Sequence, residues 1–422
     1  MTDIMKKTLG ILMTTGLLLS LCGCDLSNPF KNNNNSSGKE RVAPIVLTTE
    51  EEAVSDAGRD FAFRFMKAVD ATMPGGNYVV SPYSAQVALS MALNGAAGST
   101  FNQMRDVLGF GGMDIEDINS YNKKVIEGLN YVEPDGDVKV ANSLWINKRF
   151  PFEVLGQYEY TIADSYFAKV GTVDFSSSGA VKSINRWCSS NTNSLINNVV
   201  DNLNPSSVAM LLNALYFKAP WHREFDKKDN FKGDFLANGV SKQNVEYMVD
   251  GFNSPYYKNE KFEVVSKAFC KTNQFQFFIV LPAVGVTPEE CLDDLPTVMR
   301  ESSSRAHVTL SIPKFSVKKN CDLKPALVSM GMSEPFGEDA DFSNLVSQLS
   351  EAPLVITDVN QGNTFLINEK GTEGASVTKV EIGYTSPGLD EVDLFVNRPF
   401  LFFVQESGSG AILYAGKVSS IE

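Results

Sequence analysis

Several runs of this chain are apolar at successive positions, which is the pattern of β-strands covered on both faces. The clearest are Phe275–Pro282, with the sequence FQFFIVLP, and the pair Phe400–Glu406 and Gly410–Val418. Strands of this kind need a helix layer or a second sheet against each face. The Gly-rich turn between the last two runs predicts a β-hairpin. Further strands are predicted at Val138–Asn147, Val208–Trp221 and His307–Val317.

Helical patterns precede these strands and interleave with them. The stretch Thr48–Asp70 has a threonine cap, glutamates in its first turn and then apolar residues at helical spacing. Ser81-Pro82 predicts the start of a second helix, and Gly95 predicts its end. Long strands mixed with helices predict an α+β domain with large sheets. Further helices are predicted at Val181–Val200 and Leu323–Met332.

The first 44 residues are expected to lie outside this domain. Lys6 and Lys7 precede an apolar run, Leu9–Leu21, which has the basic leading edge of a secretory signal and is too short to span a bilayer. The run ends in LCGCD, which resembles the bacterial lipobox. That resemblance implies cleavage after Gly23 and a diacylglyceryl thioether on Cys24. The alternative is an ordinary signal peptide with incidental cysteines.

The segment after Cys24 is rich in asparagine and serine, and it cannot bury enough apolar surface to fold. We therefore expect a lipoprotein signal peptide at residues 1–23, a flexible tether at 24–44 and one folded domain at 45–422. The protein would then be exported and held on a bacterial membrane, facing the periplasm or the cell surface.

Charge and cysteine usage exclude several classes of partner. The formal net charge of -13 argues against a nucleic-acid partner, which calls for a basic surface. The body holds four cysteines without a CxxC pair or a nearby histidine, so we expect no metal site. Buried free thiols are the favoured state. These cysteines are Cys188, Cys270, Cys291 and Cys321.

The sequence also lacks the machinery of common enzymes. His222 and His307 are the only histidines, and neither is part of a recognisable catalytic motif. No nucleophile elbow, phosphate loop, dinucleotide fingerprint or zinc-protease helix occurs. We therefore expect neither enzymatic activity nor a cofactor.

The segment from Thr372 to Tyr384 has the charge pattern of a strand but the composition of a loop. Every second residue from Thr372 to Tyr384 is uncharged, whereas the alternate positions hold Glu373, Lys379 and Glu381. This alternation is typical of a strand with one buried face. The segment nevertheless holds two glycines and leads into Thr-Ser-Pro-Gly, which favours a turn.

Motifs along the body resemble those of the serpin family, in the family's order. They begin with NYVVSPYSAQVALSMALNGAAGST from Asn77 and continue with LLNALYFKAPWHREFD from Leu211. IVLP, LSIPKF, ADFSNL and NRPFLFFV follow. The resemblance implies the serpin fold, with three β-sheets, surrounding helices and an exposed reactive-centre loop. It also implies a shutter region at Ser81, Ser84, Asn213 and Gln361, with Gln361 in place of the family's usual histidine.

The segment at Thr372 resembles the serpin hinge, whose pattern is Glu-x-Gly-Thr-Glu followed by small residues. Gly374 departs from the alanine of most inhibitory members, and glycine favours strands less. No charge or proline blocks the uncharged face. The hinge residues that the resemblance implies are Glu369, Gly371, Thr372, Glu373, Gly374, Ala375 and Ser376.

The resemblance places the reactive bond near Thr385. Counting from Glu369, as the family does, gives cleavage between Thr385 and Ser386, whereas counting back from Pro399 points a few residues later. Cleavage after Tyr384 would suit a chymotrypsin-like protease, and Thr385 suits elastase- or subtilisin-like enzymes. No Arg or Lys lies near the bond, which disfavours a trypsin-like target.

The resemblance therefore implies an inhibitor that covalently traps serine proteases, with cysteine proteases as a further class. The cleaved loop would insert into the large sheet and deform the attached protease. The expected partners are the target protease and, through the lipid, a membrane, and the protein is expected to be a monomer. The alternative is a non-inhibitory serpin that acts as a binding or chaperone-like surface protein.

Overall fold

The structure is a computed structural model, and it positions helices and strands over most of the body. It describes residues 44–130, 136–150, 153–192, 194, 196–237, 239–300, 303–347, 354–357, 359–372 and 389–421. The helices are α1 Thr49–Thr72, α2 Pro82–Gly95, α3 Gly98–Leu108, α4 Ile115–Asn130, α5 Gly156–Tyr166, α6 Ser178–Asn191, α7 Pro288–Cys291, α8 Leu295–Val298 and α9 Lys324–Ser329.

The strands occupy the middle and the C-terminal part of the chain. They are β1 Tyr78–Val80, β2 Asp137–Asn147, β3 Glu153–Val154, β4 Lys169–Val173, β5 Ala209–Lys218, β6 Phe231–Ala237, β7 Val240–Lys258, β8 Phe262–Phe269, β9 Phe275–Pro282, β10 Ser304–Pro313, β11 Phe315–Asp322, β12 Val346–Ser347, β13 Asn360–Ile367, β14 Asp390–Phe395, β15 Phe400–Glu406 and β16 Ile412–Val418.

The starts of the first two helices confirm the capping signals in the sequence. Thr48 and Glu51 form a capping box, in which each side chain accepts a hydrogen bond from the backbone N–H of the other residue. The Ser81 hydroxyl accepts the backbone N–H of Ser84, and Pro82 occupies the first turn of α2. The helix ends at Gly95, as predicted.

One nine-stranded sheet contains most of the apolar runs. Its order is β1-β16-β15-β9-β8-β7-β10-β14, and β6 pairs with β7. Strands β15 and β16 form the predicted antiparallel hairpin. All seven residues of β16 are buried, in agreement with the sequence pattern of a strand covered on both faces.

Two smaller sheets pack against the nine-stranded sheet. One has the order β4-β2-β5 and the other contains β11 and β13. In the first of these sheets, the Phe217 ring on β5 lies 5.1 Å from the Phe275 ring on β9. In the second, the Phe365 ring on β13 stacks on Phe402 of β15 at 4.9 Å. Both smaller sheets therefore share one hydrophobic core with the large sheet. A further short pair joins β12 to β3.

Some predicted elements have the wrong limits. The helix predicted at Val181–Val200 ends at Asn191, where the Thr192 hydroxyl donates a hydrogen bond to the carbonyl of Cys188. The strand predicted at His307–Val317 is two strands in different sheets, because Pro313 has no N–H to continue a ladder. Helix α9 is shorter than predicted and ends at Ser329.

The four body cysteines are buried thiols that form no disulfide within the described residues, as predicted. Burial raises the pKa of the Cys188 and Cys291 thiols to about 12 and that of Cys321 to about 11. Thiols with such pKa values form little of the reactive thiolate near neutral pH. Within the described residues, no helix combines the length and the hydropathy that crossing a bilayer requires.

Candidate functional site

Strands β5 and β13 are linked to each other just before they begin and just after they end, although the structure assigns them to different sheets. Strand β5 is the end strand of β4-β2-β5, and β13 ends the pair with β11. Over the described residues, no ladder joins β5 to β13. We call the boundary between these two strands the seam.

Contacts at both ends of the seam show that the two strands run in the same direction. Just before the strands begin, the hydroxyls of Ser207 and Thr357 are hydrogen-bonded at 2.9 Å. Just after the strands end, the backbone N–H of Thr372 donates to the carbonyl of Ala219 at 3.0 Å. The seam is therefore fastened at its two ends, and the part of the chain that the structure describes forms no ladder between them.

We call the contact after the strand ends, between Ala219–Trp221 and Asn368–Thr372, the hinge contact. The backbone N–H of Trp221 donates to the carbonyl of Lys370 at 3.0 Å. The Thr372 hydroxyl accepts the backbone N–H of Ala219 at 2.9 Å. Thr372 is only 4% exposed, so the first residue of the uncharged face is already buried, as its position in the alternation predicts.

Gly371 allows the two chains of the hinge contact to approach closely. Its φ is +139°, a value that residues with a side chain rarely adopt. A Cβ here would overlap the carbonyl oxygen of Ala219 and would lie 2.7 Å from the Cα of Pro220. Only glycine therefore fits this position without separating the chains.

The carboxylate of Glu369 fastens the hinge contact to the residue before β6 and to the residue between β10 and β11. It accepts a hydrogen bond from Asn230 at 2.7 Å and pairs with the Lys314 amine at 3.2 Å. Lys314 also pairs with Glu246 on β7 at 2.8 Å. Burial alone would raise the pKa of Glu369, but hydrogen bonds from the backbone, Asn230 and Lys314 outweigh this and hold the pKa below its usual value.

Trp221 covers the hinge contact from the side of β8. Its ring stacks on Phe269 at 4.2 Å, and its indole N–H donates to the carbonyl of Asn368 at 2.8 Å. The sequence identified Trp221 only as part of a family motif. In this role the Trp221 ring connects segments that are distant in sequence. No local sequence pattern predicts such contacts.

Three of the four predicted shutter residues meet beside the start of β13. The backbone N–H of Ser81 donates to Gln361 Oε1 at 2.7 Å, and Gln361 Nε2 donates to the carbonyl of Ser81 at 2.9 Å. Ser84 joins them through its N–H bond to the Ser81 hydroxyl. Asn363, which the sequence analysis missed, donates to Gln361 Oε1 at 2.8 Å. Its position two residues after Gln361 puts it on the same face.

Asn213, the fourth predicted shutter residue, has a different partner. Its Nδ2 donates to Asn142 Oδ1 at 2.6 Å, and Asn142 lies directly opposite it on β2. Among the described residues, Asn213 Oδ1 is buried without a hydrogen-bond partner. Strand β5 is thus tied to β2 at this level, whereas Gln361 ties β13 to the start of α2.

The remaining predicted site residues lie outside the described residues. These are Cys24, the hinge residues Glu373, Gly374, Ala375 and Ser376, and the candidate reactive-bond residues Tyr384, Thr385 and Ser386. Their roles stay predictions. Among the described residues, no group of three or more His, Cys, Asp or Glu side chains is placed to hold a metal ion.

Comparison with known proteins identifies the class to which this fold and seam belong. The family model described as serpin (serine protease inhibitor) matches residues 56–421. Iripin-3 of Ixodes ricinus is 29% identical over 392 residues, which cover 90% of this chain and 98% of that protein. The chain therefore belongs to the serpin family, whose members are in general protease inhibitors rather than enzymes.

Solved structures agree with this assignment. The native state of the thermophilic serpin tengpin superposes with a TM-score of 0.78 at 27% identity, covering 90% of this chain and 96% of tengpin. Human thyroxine-binding globulin, solved in complex with thyroxine, gives a TM-score of 0.77 at 26% identity. That match covers 88% of this chain and the whole of the globulin chain.

Proposed function

We propose that this serpin inhibits serine proteases, with cysteine proteases as a further class, by trapping them covalently. The observation that carries the proposal is the seam. These two strands run in the same direction and are fastened at both ends, and their described residues do not pair with each other in between, which leaves a place for one more strand. The segment that follows Thr372 has the one-sided charge pattern that such a strand needs.

Insertion of this segment would be strongly favourable. Strand β13 has eight residues, so an inserted strand would form on the order of 10 backbone hydrogen bonds with its two neighbours. At about 1 kcal/mol net for each bond, the gain is on the order of 10 kcal/mol before apolar burial is added. The intact protein is then held away from its free-energy minimum by a kinetic barrier.

Trapping couples this gain to proteolysis. The nucleophile of the protease attacks the carbonyl carbon of the reactive bond, the amine of the next residue leaves with a proton, and an ester or thioester joins the two proteins. Cleavage frees the loop to insert. The attached protease is carried along and loses its oxyanion-hole and triad geometry, so water no longer hydrolyses the acyl-enzyme.

The bait bond and the target class follow from the residues of the loop. We propose Thr385–Ser386 as the cleaved bond, with Tyr384–Thr385 as the alternative. A small residue before the bond suits elastase- and subtilisin-like proteases, and the tyrosine suits chymotrypsin-like ones. The acidic and neutral side chains around the bond disfavour trypsin-like enzymes.

We further propose that the protein acts as a monomer at a bacterial membrane. The signal at residues 1–23 would direct export, and the lipid on Cys24 would anchor the chain. The tether at 24–44 would hold the inhibitory domain away from the bilayer, facing the periplasm or the cell surface.

One gel tests the inhibitory function. The protein is mixed with elastase, subtilisin and chymotrypsin in separate reactions, and each mixture is separated in SDS. A band with the combined mass of both proteins is expected for at least one protease. Mass spectrometry of the released C-terminal peptide then identifies the cleaved bond. Cleavage of the loop by all three proteases without any such band would contradict inhibition.

A non-inhibitory binding protein is the second candidate. The observation that favours it is the similarity to thyroxine-binding globulin, which covers the whole of that chain. A binding protein would be cleaved in the same gel without a covalent band, and its thermal stability would not rise after cleavage.

A further inference from the structure

A surface cavity of about 400 Å³ lies beside the hinge contact and is lined by strands of the nine-stranded sheet. It is bounded by the turn at His222 and Arg223, by β7, by β8, by β9 and by the start of β10. The seam and hinge contacts described above do not involve the residues that line this cavity. The residues that line the cavity are therefore available for a separate role.

The lining is basic, although the chain is acidic. Arg223, Lys267 and Arg305 contribute three positive charges, and no acidic side chain lines the cavity. Asp250 lies behind the wall and pairs with Lys267 at 2.5 Å and with Arg223 at 3.3 Å. Three cations and one anion leave a local charge of +2 in a chain whose formal net charge is -13. Such a site attracts anions.

The buried cation of the cavity is held in place by aromatic rings. Lys267 has a side chain only 3% exposed, and its Nζ lies 4.5 Å from the ring centroid of Phe252 and 4.6 Å from that of Phe225. Arg305 is exposed on β10 and has no ion-pair partner within the part of the chain that the structure describes. A bound anion would give Arg305 such a partner.

Two aromatic rings form the main apolar part of the wall, which also contains polar residues such as Asn253 and Gln276. Phe252 and Phe278 are half-buried and reach the cavity from β7 and β9. The Phe278 ring is fixed by stacking on Phe403 at 4.6 Å. Half-exposed aromatic rings beside cations suit a ligand that has a planar apolar body and one negative group.

We propose that this cavity binds a small planar organic anion, such as an aryl carboxylate or aryl sulfonate. The anionic group would lie between Arg223 and Arg305, and the planar body would lie against Phe252 and Phe278. The affinity would come from charge-assisted hydrogen bonds and from apolar burial in a preformed wall.

The bound anion would also strengthen the hinge contact. The backbone N–H of His222 donates to the carbonyl of Ala268 on β8 at 2.9 Å, and the preceding N–H, that of Trp221, donates to Lys370. A ligand that joins Arg223 to Arg305 on β10 would restrain this same turn. Occupancy would then favour the closed seam, because a ligand stabilises the state that it binds more tightly. This second step depends on the proposed inhibitory function, whereas binding itself does not.

Binding is tested by calorimetric titration of the full-length mature protein with 2-naphthalenesulfonate. Naphthalene-2-sulfonamide, which has the same ring but no charge, is the matched ligand. The sulfonate is expected to bind at least about 10-fold more tightly, because two cations face it. Equal affinities for the two compounds would overturn the proposal.

Three arginine variants locate the site. Arg305→Gln and Arg223→Gln should each weaken binding of the sulfonate by about 3- to 10-fold, the usual effect of losing one charge-assisted contact. Arg186→Gln on α6 is the control, since Arg186 is exposed and lies outside the lining. Arg305 is exposed as well, so its replacement should leave the fold intact. Affinities of both cavity variants equal to that of the control would overturn the site.

The coupling is tested by thermal unfolding of the intact and the loop-cleaved protein with saturating sulfonate. A larger rise in the midpoint of the intact form is expected, since only that form keeps the closed hinge contact. Equal rises would overturn the coupling. If cleavage itself leaves the midpoint unchanged without ligand, the proposed inhibitory function fails, and the arginine series still decides whether the cavity is a site.

Discussion

Replacing Gly371 by alanine should weaken the closed seam directly. The backbone of Gly371 lies against Ala219 and Pro220, and an added Cβ would overlap the carbonyl oxygen of Ala219. The chains can relieve this overlap only by moving apart. That movement breaks the two backbone hydrogen bonds that close the end of the seam, from Thr372 to Ala219 and from Trp221 to Lys370.

The size of the effect follows from these contacts. Losing two hydrogen bonds at about 1 kcal/mol each makes the closed seam less stable by about 2 kcal/mol. Both bonds must break before a strand can enter the seam, so the loss lowers the barrier to spontaneous insertion by a similar amount. A barrier lower by about 2 kcal/mol corresponds to a rate about 30-fold higher. The positive φ adds strain of about 1–2 kcal/mol.

Gly285→Ala separates backbone strain from overlap. Gly285 has a φ of +90°, but a Cβ there would meet nothing within 4 Å. The control therefore carries a similar strain without disturbing the seam. Thr372→Val is a milder second variant, because it removes the hydroxyl that accepts the N–H of Ala219 while keeping nearly the same volume. Loss of one hydrogen bond at about 1 kcal/mol should accelerate insertion by about 5-fold.

Spontaneous insertion is followed by incubating each purified protein and measuring the fraction that still forms a covalent complex with protease. Native gels and thermal midpoints report the inserted form independently. The expected order of rates is Gly371→Ala, then Thr372→Val, then Gly285→Ala together with the unchanged protein. If Gly371→Ala converts no faster than Gly285→Ala, the hinge contact does not hold the seam closed, and the reasoning is refuted.

Three further predictions concern the hinge, the inserted face and the anchor. Because the pKa of Glu369 is depressed, its stabilising effect is complete above its unfolded pKa of about 4.3 and is lost as the pH falls through the lower folded value. The difference in thermal midpoint between the unchanged protein and Glu369→Gln should therefore be constant above that pH and shrink below it. A difference that persists in acid would contradict a stabilising role of the Glu369 carboxylate. Thr378→Arg puts a charge on the inserted face, so this variant should be cleaved by the protease without forming the covalent band. Val377→Arg, on the opposite face, should keep the band. Equal behaviour of the two variants would contradict the predicted alternation of buried and exposed positions. Cys24→Ala should move the protein from the membrane fraction to the soluble fraction, and retention on membranes would contradict the lipid anchor.

The sequence predicted much of the fold because its signals are local. The capping box at Thr48, the Ser81-Pro82 junction and the hairpin between β15 and β16 each depend on neighbouring residues, and all three are present. The burial of Thr372 follows from the alternation of charges. These features need only the period of a strand or the geometry of a cap.

The contacts that close the seam could not be predicted in the same way. Asn230, just before β6, and Lys314, between β10 and β11, hold Glu369 although both are distant from it in sequence, and no sequence pattern predicts these contacts. Asn213 was predicted only as a shutter residue; its hydrogen bond to Asn142 was not predicted, and it forms because the register of β5 with β2 puts these two asparagines opposite each other. Strand register depends on tertiary packing, which a single sequence does not display.

The thermal midpoint of unfolding before and after cleavage of the loop tests the central claim most directly. If the cleaved loop enters the seam between β5 and β13, a gain on the order of 10 kcal/mol should raise the midpoint by on the order of 10–20 °C. The rise should be absent in Thr378→Arg, whose loop cannot bury its charge. An unchanged or lower midpoint for the cleaved protein would contradict the account, since the seam would then have stayed closed.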